Sequence, residues 1–371
     1  MNEENLIDII QLINTDGIGP VSFYKIINST SSIKEALLIT SEKKSLYKRE
    51  LAEYELDKAR QKEIKIISYL DELYPDSLKN INDAPPILYA KGNIELLKHP
   101  ISIAIVGARN ASISGRKCAS KIAYDLTQQD VLVVSGMARG IDSSAHKGAL
   151  FAKQQKGSTI AVLGTGVDVI YPAENKDLYH DICEQGLVLS EFPIGTNAQV
   201  TNFPRRNRII SALTSGTLVV EASLHSGSLI TAKLALDQGK EIFAVPGSPL
   251  ESRSAGPNHL IKEGAILTEC AEDILNVLSI SQNKQIKNYQ MNFKPLDKEK
   301  NNVNISEHVI LETTTPKQID LLRLISYEGV DIDELLRTSQ LPQADFFSEL
   351  LELEFSGKIE RQVGNKVARI K

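Results

Sequence analysis

Short apolar runs alternate with segments of helical periodicity between residues 101 and 246. We expect strands at 101–106, 131–135, 158–164, 187–191, 217–222 and 241–246, separated by helices that begin near Ser114, Gly140, Lys176, Pro204 and Ser228. Strands that are apolar throughout are covered on both faces, as in parallel sheets. The pattern therefore predicts an α/β fold with a doubly wound parallel sheet in residues 73–279.

The first 72 residues have the three- and four-residue apolar spacing of short helices. Two such helices, LIDIIQLI and VSFYKIINS, flank the turn Asp16–Pro20, whose Gly-Ile-Gly-Pro sequence is found in helix-hairpin-helix motifs. A plain helical turn explains the same sequence, and both interpretations stay open. We therefore expect a small helical domain, SAM-like or helix-hairpin-helix-like, at 1–72. The Pro- and Gly-rich segment 74–92 is predicted to be a tether into the sheet domain.

The polar residues 280–315, rich in Asn and Lys, predict a flexible linker. Beyond it, three amphipathic segments are followed by a predicted β-hairpin that turns at Gly364-Asn365. Three helices and a hairpin predict a winged-helix domain at 316–371. Its candidate recognition helix, within PQADFFSELLELEF, carries acids and no basic residue. We therefore expect this domain to contact protein rather than to enter a DNA groove.

Composition and charge narrow the class of protein. The chain is 42% hydrophobic and 24% charged, has no apolar run long enough for a membrane span, and begins with an acidic segment where a secretion signal would be basic. These features predict a cytoplasmic protein with no membrane partner. The three cysteines are far apart, so we expect neither a disulfide framework nor a metal site.

The net charge of −5 is unusual for a nucleic-acid-binding protein. However, residues 101–270 hold 16 Lys and Arg against 15 Asp and Glu, and this is the only stretch that is not acidic. Its polar loops follow the predicted strands at Gly107–Arg109, Ser135–Asp142, Gly164–Gly166 and Ser226–Ser228. Because the carboxyl ends of parallel strands meet at one edge, these loops predict an anion-binding rim there.

Three arginines crowd beside an aromatic residue at the predicted start of a helix. Arg205, Arg206 and Arg208 follow Phe203, and no acid lies between Glu191 and Glu221. Arginine beside an aromatic ring suits a single strand of DNA, whose phosphates attract the charge and whose unpaired bases stack on the ring. The alternatives are that Phe203 belongs to the core and that an arginine pairs with a carboxylate such as Glu221.

In this order, the residues resemble the DprA/Smf family of DNA-processing proteins. The resemblance covers essentially the whole chain, and its most specific blocks are IVGARNAS from residue 105, VSGMARGIDSSAHKGAL (134–150), NFPRRNRIIS (202–211) and VVEASLHSGSLITAKLALDQGKEIFAVPGSP (219–249). It implies an extended Rossmann-like domain between a small helical domain and a winged helix. It also implies a homodimer, formed through the Rossmann-like domain, that binds and protects incoming single-stranded DNA and loads RecA recombinase in natural transformation.

The resemblance implies no catalysis and no cofactor. Carried over by position, and completed with Arg139 and Arg205 from the rim and the arginine cluster, the DNA site comprises Gly107, Arg109, Ser135, Gly136, Arg139, Gly140, Phe203, Arg205, Arg206, Arg208, Ser226, Gly227, Ser228 and Thr231. We assign base contact to Phe203 and phosphate contact to the others. One departure is the uncharged segment 198–201, where family members often carry a Lys or Arg, so a phosphate contact is expected to be missing.

The rival class is a nucleotide phosphoribohydrolase of the same Rossmann-like superfamily, which residues 216–221 resemble. In those enzymes a glycine run precedes this segment, whereas Leu213-Thr214-Ser215 stands here. Glu221 is more simply interpreted as a charge partner of the arginines. A nicotinamide dehydrogenase is disfavoured because the first loop, GARNASISG, lacks GxGxxG spacing. His146 and His225 lie near the rim and are interpreted as structural residues.

Overall fold

The computed structural model describes residues 2–152, 159–284, 321–325, 329–339, 341, 343–362 and 364–370. The chain divides into two compact units, Met1–Met291 and Asn292–Lys371. Each unit is described by itself.

The first unit is organised around a nine-stranded sheet of order β1-β2-β6-β5-β4-β3-β7-β8-β9. Its strands are β1 (Lys65–Ser68), β2 (Ile87–Gly92), β3 (Ser102–Val106), β4 (Leu132–Ser135), β5 (Thr159–Val162), β6 (Leu187–Ser190), β7 (Gly216–Val219), β8 (Glu241–Ala244) and β9 (Ile266–Leu267). Strands β3 to β9 pair in parallel, whereas β1 and β2 are antiparallel additions beyond β6. The predicted doubly wound parallel sheet is confirmed, and all six predicted strands are present.

Helices cover both faces of the sheet, so its central strands are buried on both sides. Two layers of helices pack on opposite faces of the sheet. Ile103 and Ile105 of β3 belong to the hydrophobic cluster on one face, whereas Ala104 and Val106 belong to a separate cluster on the other face. The first layer contains α6 (Ile113–Gln128), α7 (Ile141–Phe151), α8 (Lys176–Gln185) and α12 (Ala271–Lys284). The second contains α5 (Asp76–Lys79), α9 (Asn202–Ala212), α10 (Gly227–Asp237) and α11 (Ala255–Lys262), and two 3₁₀ turns lie at Ile94–Lys98 and Ala173–Asn175.

Four N-terminal helices pack into the same core as the antiparallel end of the sheet. They are α1 (Glu3–Ile13), α2 (Pro20–Ile27), α3 (Ile33–Ser41) and α4 (Arg49–Gln61). Ile10 of α1 and Tyr89 of β2 are fully buried members of one hydrophobic cluster. The Tyr89 hydroxyl donates to the Glu55 carboxylate of α4 at 2.5 Å, and Lys62 pairs with Asp168. The helices and the sheet therefore share one interior.

The tether predicted at 74–92 is wrong. This segment contains α5 and then β2, whose four apolar residues Ile87–Ala90 are buried and pair with β1 and β6. Pro85 and Pro86 lie just before the strand, where the missing N–H groups cost no ladder bond. Because β1 precedes the predicted boundary at residues 72 and 73 while β2 follows it, one strand pair joins its two sides. The four-part domain division stays a prediction.

The second unit has the helices and hairpin of a winged helix. It contains α13 (Leu321–Leu324), β10 (Val330–Asp331), α14 (Ile332–Ser339), α15 (Gln343–Phe355), β11 (Ile359–Gln362) and β12 (Lys366–Arg369). Phe346 and Val367 are fully buried in its core. Gly364 and Asn365 both have positive φ at the hairpin turn, as predicted. Of the predicted linker 280–315, the first five residues continue α12, and 285–315 lies outside the described residues.

None of the helices in the described part of the chain combines the length and the apolar character needed to cross a bilayer.

The close packing of α6 on α7 depends on Gly148. A Cβ added there would overlap the backbone carbonyl oxygen of Ser120 on α6. We therefore expect Gly148→Ala to lower the free energy of unfolding by about 1–3 kcal/mol, measured by urea denaturation, because two backbones must separate. Gly227→Ala is the control, since a Cβ there meets no atom within 4 Å. Equal stability of the two variants would contradict this account of the interface.

Candidate nucleic-acid interface

A cleft of about 240 Å³ opens at the carboxyl edge of the sheet. It lies where the chain leaves β3, β4 and β5 and where α9 begins. The lining residues are Arg109, Gly136, Ala138, Arg139, Tyr171, Pro172, Glu174, Phe203 and Arg206. Five of these nine, Arg109, Gly136, Arg139, Phe203 and Arg206, belong to the predicted site. The structure thus brings together loops that are far apart in sequence.

A cation and two aromatic rings form a stack in this cleft. The guanidinium carbon of Arg109 lies 5.4 Å from the centroid of the Phe203 ring, and the Tyr171 ring lies 5.4 Å from Phe203 at 35°. Phe203 is half-buried and touches Gly164, where a Cβ would approach its ring to 2.8 Å. Tyr171 is 44% exposed. The absence of a side chain at Gly164 therefore leaves space for the Phe203 ring, and the Tyr171 ring stays partly exposed to solvent.

Arg206 forms the floor of the cleft rather than a mobile charge on its rim. Its side chain is 5% exposed, and its guanidinium donates to the carbonyl oxygens of Gly136 and Val162. The Asp142 carboxylate lies nearby and accepts from the backbone N–H groups of Gly136 and Ala138. Burial lowers the pKa of Arg206 to about 10 and raises the pKa of Asp142. This pair therefore joins α9 to the ends of β4 and β5 and to the start of α7.

Glu191 is the ion-pair partner of the other two arginines of α9. Arg208 is 6% exposed and pairs with Glu191 and, at 3.2 Å, with Asp83. Arg205 is 53% exposed, lies 3.6 Å from Glu191 and stacks over Phe192. Burial raises the pKa of Glu191 although the arginines favour its ionised form. The alternative from the sequence, that an arginine pairs with a carboxylate, therefore applies to Arg205 and Arg208, although the carboxylate is Glu191 rather than Glu221.

Glu221 is not a charge partner of these arginines, and that prediction is wrong. Its carboxylate accepts from the backbone N–H and the hydroxyl of Ser112, at 2.9 Å and 2.5 Å. Ser112 is the N-cap of α6, and a Cβ at Gly115 would overlap the same carboxylate. Glu221 therefore anchors the first turn of α6.

Two predicted glycines and one predicted serine make contacts within the loops. Gly140 has φ +79°, and a Cβ there would overlap the carbonyl oxygen of Ala108; a Cβ at Gly107 would approach Ile141 to 2.6 Å. Ser135 is fully buried and donates its hydroxyl to Ile105 O at 2.6 Å. The loop after β3 thus lies directly against the start of α7. The glycines permit this contact between backbones.

The residues predicted from the fourth loop do not line the cleft. Ser226 is the N-cap of α10, its hydroxyl lies 2.7 Å from that of Ser228, and Thr231 is buried one turn further on. Gly227 is exposed with open space around it. The start of α10 follows β7. In the sheet, β7 lies on the opposite side of β3 from β4 and β5, where the strand order reverses. This helix start is a separate polar surface at the same edge of the sheet.

His146 is fully buried, and Thr159 is its hydrogen-bond partner. Its Nδ1 lies 2.7 Å from the Thr159 hydroxyl, which itself donates to Val133 O. Because that hydroxyl proton is used, Nδ1 carries the proton and donates. The interpretation of His146 as a structural residue agrees with this geometry. Within the described ranges, no three His, Cys, Asp or Glu side chains are grouped closely enough to hold a metal ion.

Sequence comparisons show the family to which the chain belongs. The family model described as DNA recombination-mediator protein A matches residues 65–279, and the DprA winged helix domain matches residues 309–365. The chain belongs to the DprA/Smf family.

Relatives of this DprA/Smf chain align over most of their own length. It is 47% identical over 208 residues to DNA processing protein DprA of Streptococcus pneumoniae, covering 56% of this chain and 72% of that protein. It is 38% identical over 297 residues to protein Smf of Escherichia coli, covering 80% and 75%.

Two solved structures share the fold of this DprA/Smf chain. DprA from Streptococcus pneumoniae superposes with a TM-score of 0.60 at 36% identity, over 74% of this chain and 96% of that chain. The second is DNA processing protein A from Helicobacter pylori, described for its single-stranded DNA binding mode. It gives a TM-score of 0.53 at 28% identity, over 59% and 96%.

Sequence reasoning assigned no role to Tyr171, Pro172 or Glu174, which lie in the loop that follows β5. Glu174 pairs with Arg139 at 3.6 Å across the cleft. The signal available was the aromatic in VIYPAEN, which follows the predicted strand 158–164. An isolated Tyr has too many possible roles to single out without its neighbours in space.

Removing Arg208 should strongly destabilise this DprA/Smf chain. Arg208→Ala leaves Glu191, which is 4% exposed, as a buried carboxylate beside Asp83. Breaking a buried pair on one side costs about 3–5 kcal/mol, which urea unfolding at neutral pH would detect. Arg208→Ala combined with Glu191→Gln should recover part of the loss, because no unpaired charge remains buried: Asp83 and Arg205 are both about half exposed. A loss that is unchanged in the double variant would contradict the assigned pairing.

His146 should make the chain sensitive to acid. Burial lowers the pKa of His146 from 6.5 to about 3. Between these values the unfolded chain takes up a proton that the folded chain cannot, so stability falls with acidification by up to about 1.4 kcal/mol per pH unit. In His146→Asn, which keeps an N–H donor for Thr159 without a titrating ring, the free energy of unfolding should vary less across this range. An identical slope in His146→Asn and in the exposed control His259→Asn would refute the assignment.

Proposed function

We propose that this chain binds single-stranded DNA in the cleft and catalyses no reaction there. The observation that carries the proposal is the stack of Arg109, Phe203 and Tyr171 at the carboxyl edge of the sheet. An unpaired base offers a flat face to an aromatic ring, and its phosphates are attracted to the neighbouring guanidinium groups. In duplex DNA the bases are stacked on one another and are not available to such a ring.

The predicted site residues take different parts in this proposal. Arg109, Arg139 and Phe203, joined by Tyr171, contact DNA directly, because they line the cleft with partly exposed side chains. Arg205, half-exposed on α9, adds charge beside the cleft. The buried Arg206 and Arg208, with Ser135, Gly136, Gly107 and Gly140, hold the loops in place. The start of α10, where the half-buried Ser226 and the exposed Gly227 precede the buried Ser228 and Thr231, offers a second phosphate contact at a helix N-terminus.

The relatives support this proposal. The Helicobacter pylori structure carries the description of a single-stranded DNA binding mode, and its chain is 28% identical to this one. From the resemblance we also propose that the protein protects incoming DNA, loads RecA recombinase and acts in natural transformation. A homodimer formed through the Rossmann-like domain and a cytoplasmic location are parts of the same proposal.

The phosphoribohydrolase alternative gains no support from the site. Glu221, the carboxylate that would serve such an enzyme, is 8% exposed and bonded to Ser112. Its carboxylate lies against the first turn of α6, and Glu221 is not among the residues that line the cleft.

Two cleft variants test the proposal by fluorescence anisotropy of labelled single-stranded and duplex oligonucleotides at two salt concentrations. Phe203→Leu keeps an apolar contact with Gly164 but removes the stacking ring, and it should weaken single-strand binding about five- to hundredfold. Arg139→Ala should reduce the dependence of log K on log salt by about 0.7, the value for one single-strand phosphate contact. The unaltered protein should prefer the single strand at both salt concentrations.

Arg60→Ala is the matched control, since Arg60 is 54% exposed and Arg139 is 53% exposed, and both pair with acids. Single-strand binding by both cleft variants that equals binding by Arg60→Ala would overturn the proposed site. Alanine at Arg206 or Arg208 would be a poorer test, because these buried side chains also hold the fold together.

A further inference from the structure

A basic and aromatic surface lies on the outer side of α6 and α7, outside the cleft. It surrounds a shallow hollow of about 450 Å³ lined by Arg116, Lys117, Ser120, Lys121, Tyr124, Gly148 and Phe151. We call these residues the α6–α7 patch. No acidic residue is among them, although the chain as a whole carries a net charge of −5.

The cations of the α6–α7 patch are mostly uncompensated. Lys121 pairs with Asp125 at 2.7 Å. Arg116 and Lys117 are exposed, and neither forms a salt bridge within the described part of the chain. Side chains three, four and seven residues apart lie on one face of a helix, so Lys117, Lys121 and Tyr124 point the same way. The α6–α7 patch therefore has a row of basic side chains along one face of α6.

One of the two aromatic rings of the α6–α7 patch is unusually accessible. Phe151 is 71% exposed, and its ring centroid lies 6.0 Å from that of Tyr124 at an angle of 43°. An exposed Phe gains nothing by facing water, and neither ring belongs to a core cluster. Basic side chains that can bind phosphate, next to an exposed aromatic ring on which a base can stack, suit a single strand of nucleic acid.

The α6–α7 patch continues from the cleft. α6 begins four residues after Arg109, and α7 begins two residues after Arg139, so both helices start at the cleft. At about 1.5 Å per residue, Tyr124 lies roughly 17 Å along α6 from its first residue and Phe151 about 15 Å along α7. The two helices run side by side and carry the basic row away from the cleft.

We propose that the α6–α7 patch is a second contact surface for the same single strand of DNA, which leaves the cleft and follows the groove between α6 and α7. Arg116 and Lys117 contact phosphates, and Phe151 stacks on a base. This inference rests on the proposed function of the cleft.

The test compares two labelled oligonucleotides, of about five and about 16 nucleotides, near the two ends of the size range of compact single-strand sites. The double variant Arg116→Ala/Lys117→Ala should bind the short strand like the unaltered protein. It should bind the long strand about tenfold more weakly, with a salt slope reduced by about 1.4 for two phosphate contacts. The cleft variant Phe203→Leu should instead weaken binding of both strands.

A spectroscopic reporter locates the strand directly. The chain contains no Trp, so Phe151→Trp introduces a unique fluorophore at an exposed position. Its emission should be quenched by the long strand and not by the short one. Tyr54→Trp on α4 is the control, since Tyr54 is 65% exposed and lies outside the patch. It should respond to neither strand.

The outcomes separate this inference from the proposed function. Tight binding of the short strand, with no effect of the patch substitutions on the long strand and no quenching at residue 151, overturns the α6–α7 patch and leaves the cleft intact. Binding of neither strand by the unaltered protein overturns both proposals. Loss of long-strand affinity with quenching confined to residue 151 supports the patch.

Discussion

The buried guanidinium of Arg206 is the interaction on which the candidate site depends. It donates to carbonyl oxygens at the ends of two adjacent strands and lies beside Asp142, which in turn binds two backbone N–H groups of the loop after β4. A buried charge is tolerated only where hydrogen bonds and an opposite charge replace water. Those requirements hold α9, and with it the ring of Phe203, at a defined distance from the loops around it.

The sequence was sufficient to predict the parallel strands of the sheet but not the antiparallel strands at its edge. Strands β3 to β8 are uninterrupted apolar runs, and such runs have few alternatives in a chain with intervening helices. Residues 74–92 predict a tether because they are rich in Pro and Gly, and Pro85 and Pro86 directly precede the four apolar residues of β2. Its pairing with β6 joins residues about 100 positions apart, for example Ala90 and Leu189, and that distance in sequence leaves no local signal.

The location of the site could be predicted, whereas the role of each residue could not. Glycines and arginines after strands predict the carboxyl edge, since every parallel strand ends there. The sequence does not say which arginine is buried, because burial depends on partners such as Glu191 and Asp83, which lie elsewhere in the chain. Glu221 was misassigned for the same reason. It lies near the arginines in sequence, but its carboxylate accepts hydrogen bonds from Ser112, the N-cap of α6, which lies 109 residues earlier in the chain.

The N-terminal helices and the sheet share one hydrophobic core, so the family-model boundary at residue 65 is not a boundary between folding units. The family model begins at residue 65, yet Ile66, Tyr89 and Val188 belong to one buried cluster with residues of α1 and α4. A protein cut at that boundary would display this apolar face to water and would tend to self-associate. The segment that the family model matches is therefore smaller than the segment that shares one hydrophobic core, so the first four helices and the sheet edge that they cover form one structural unit.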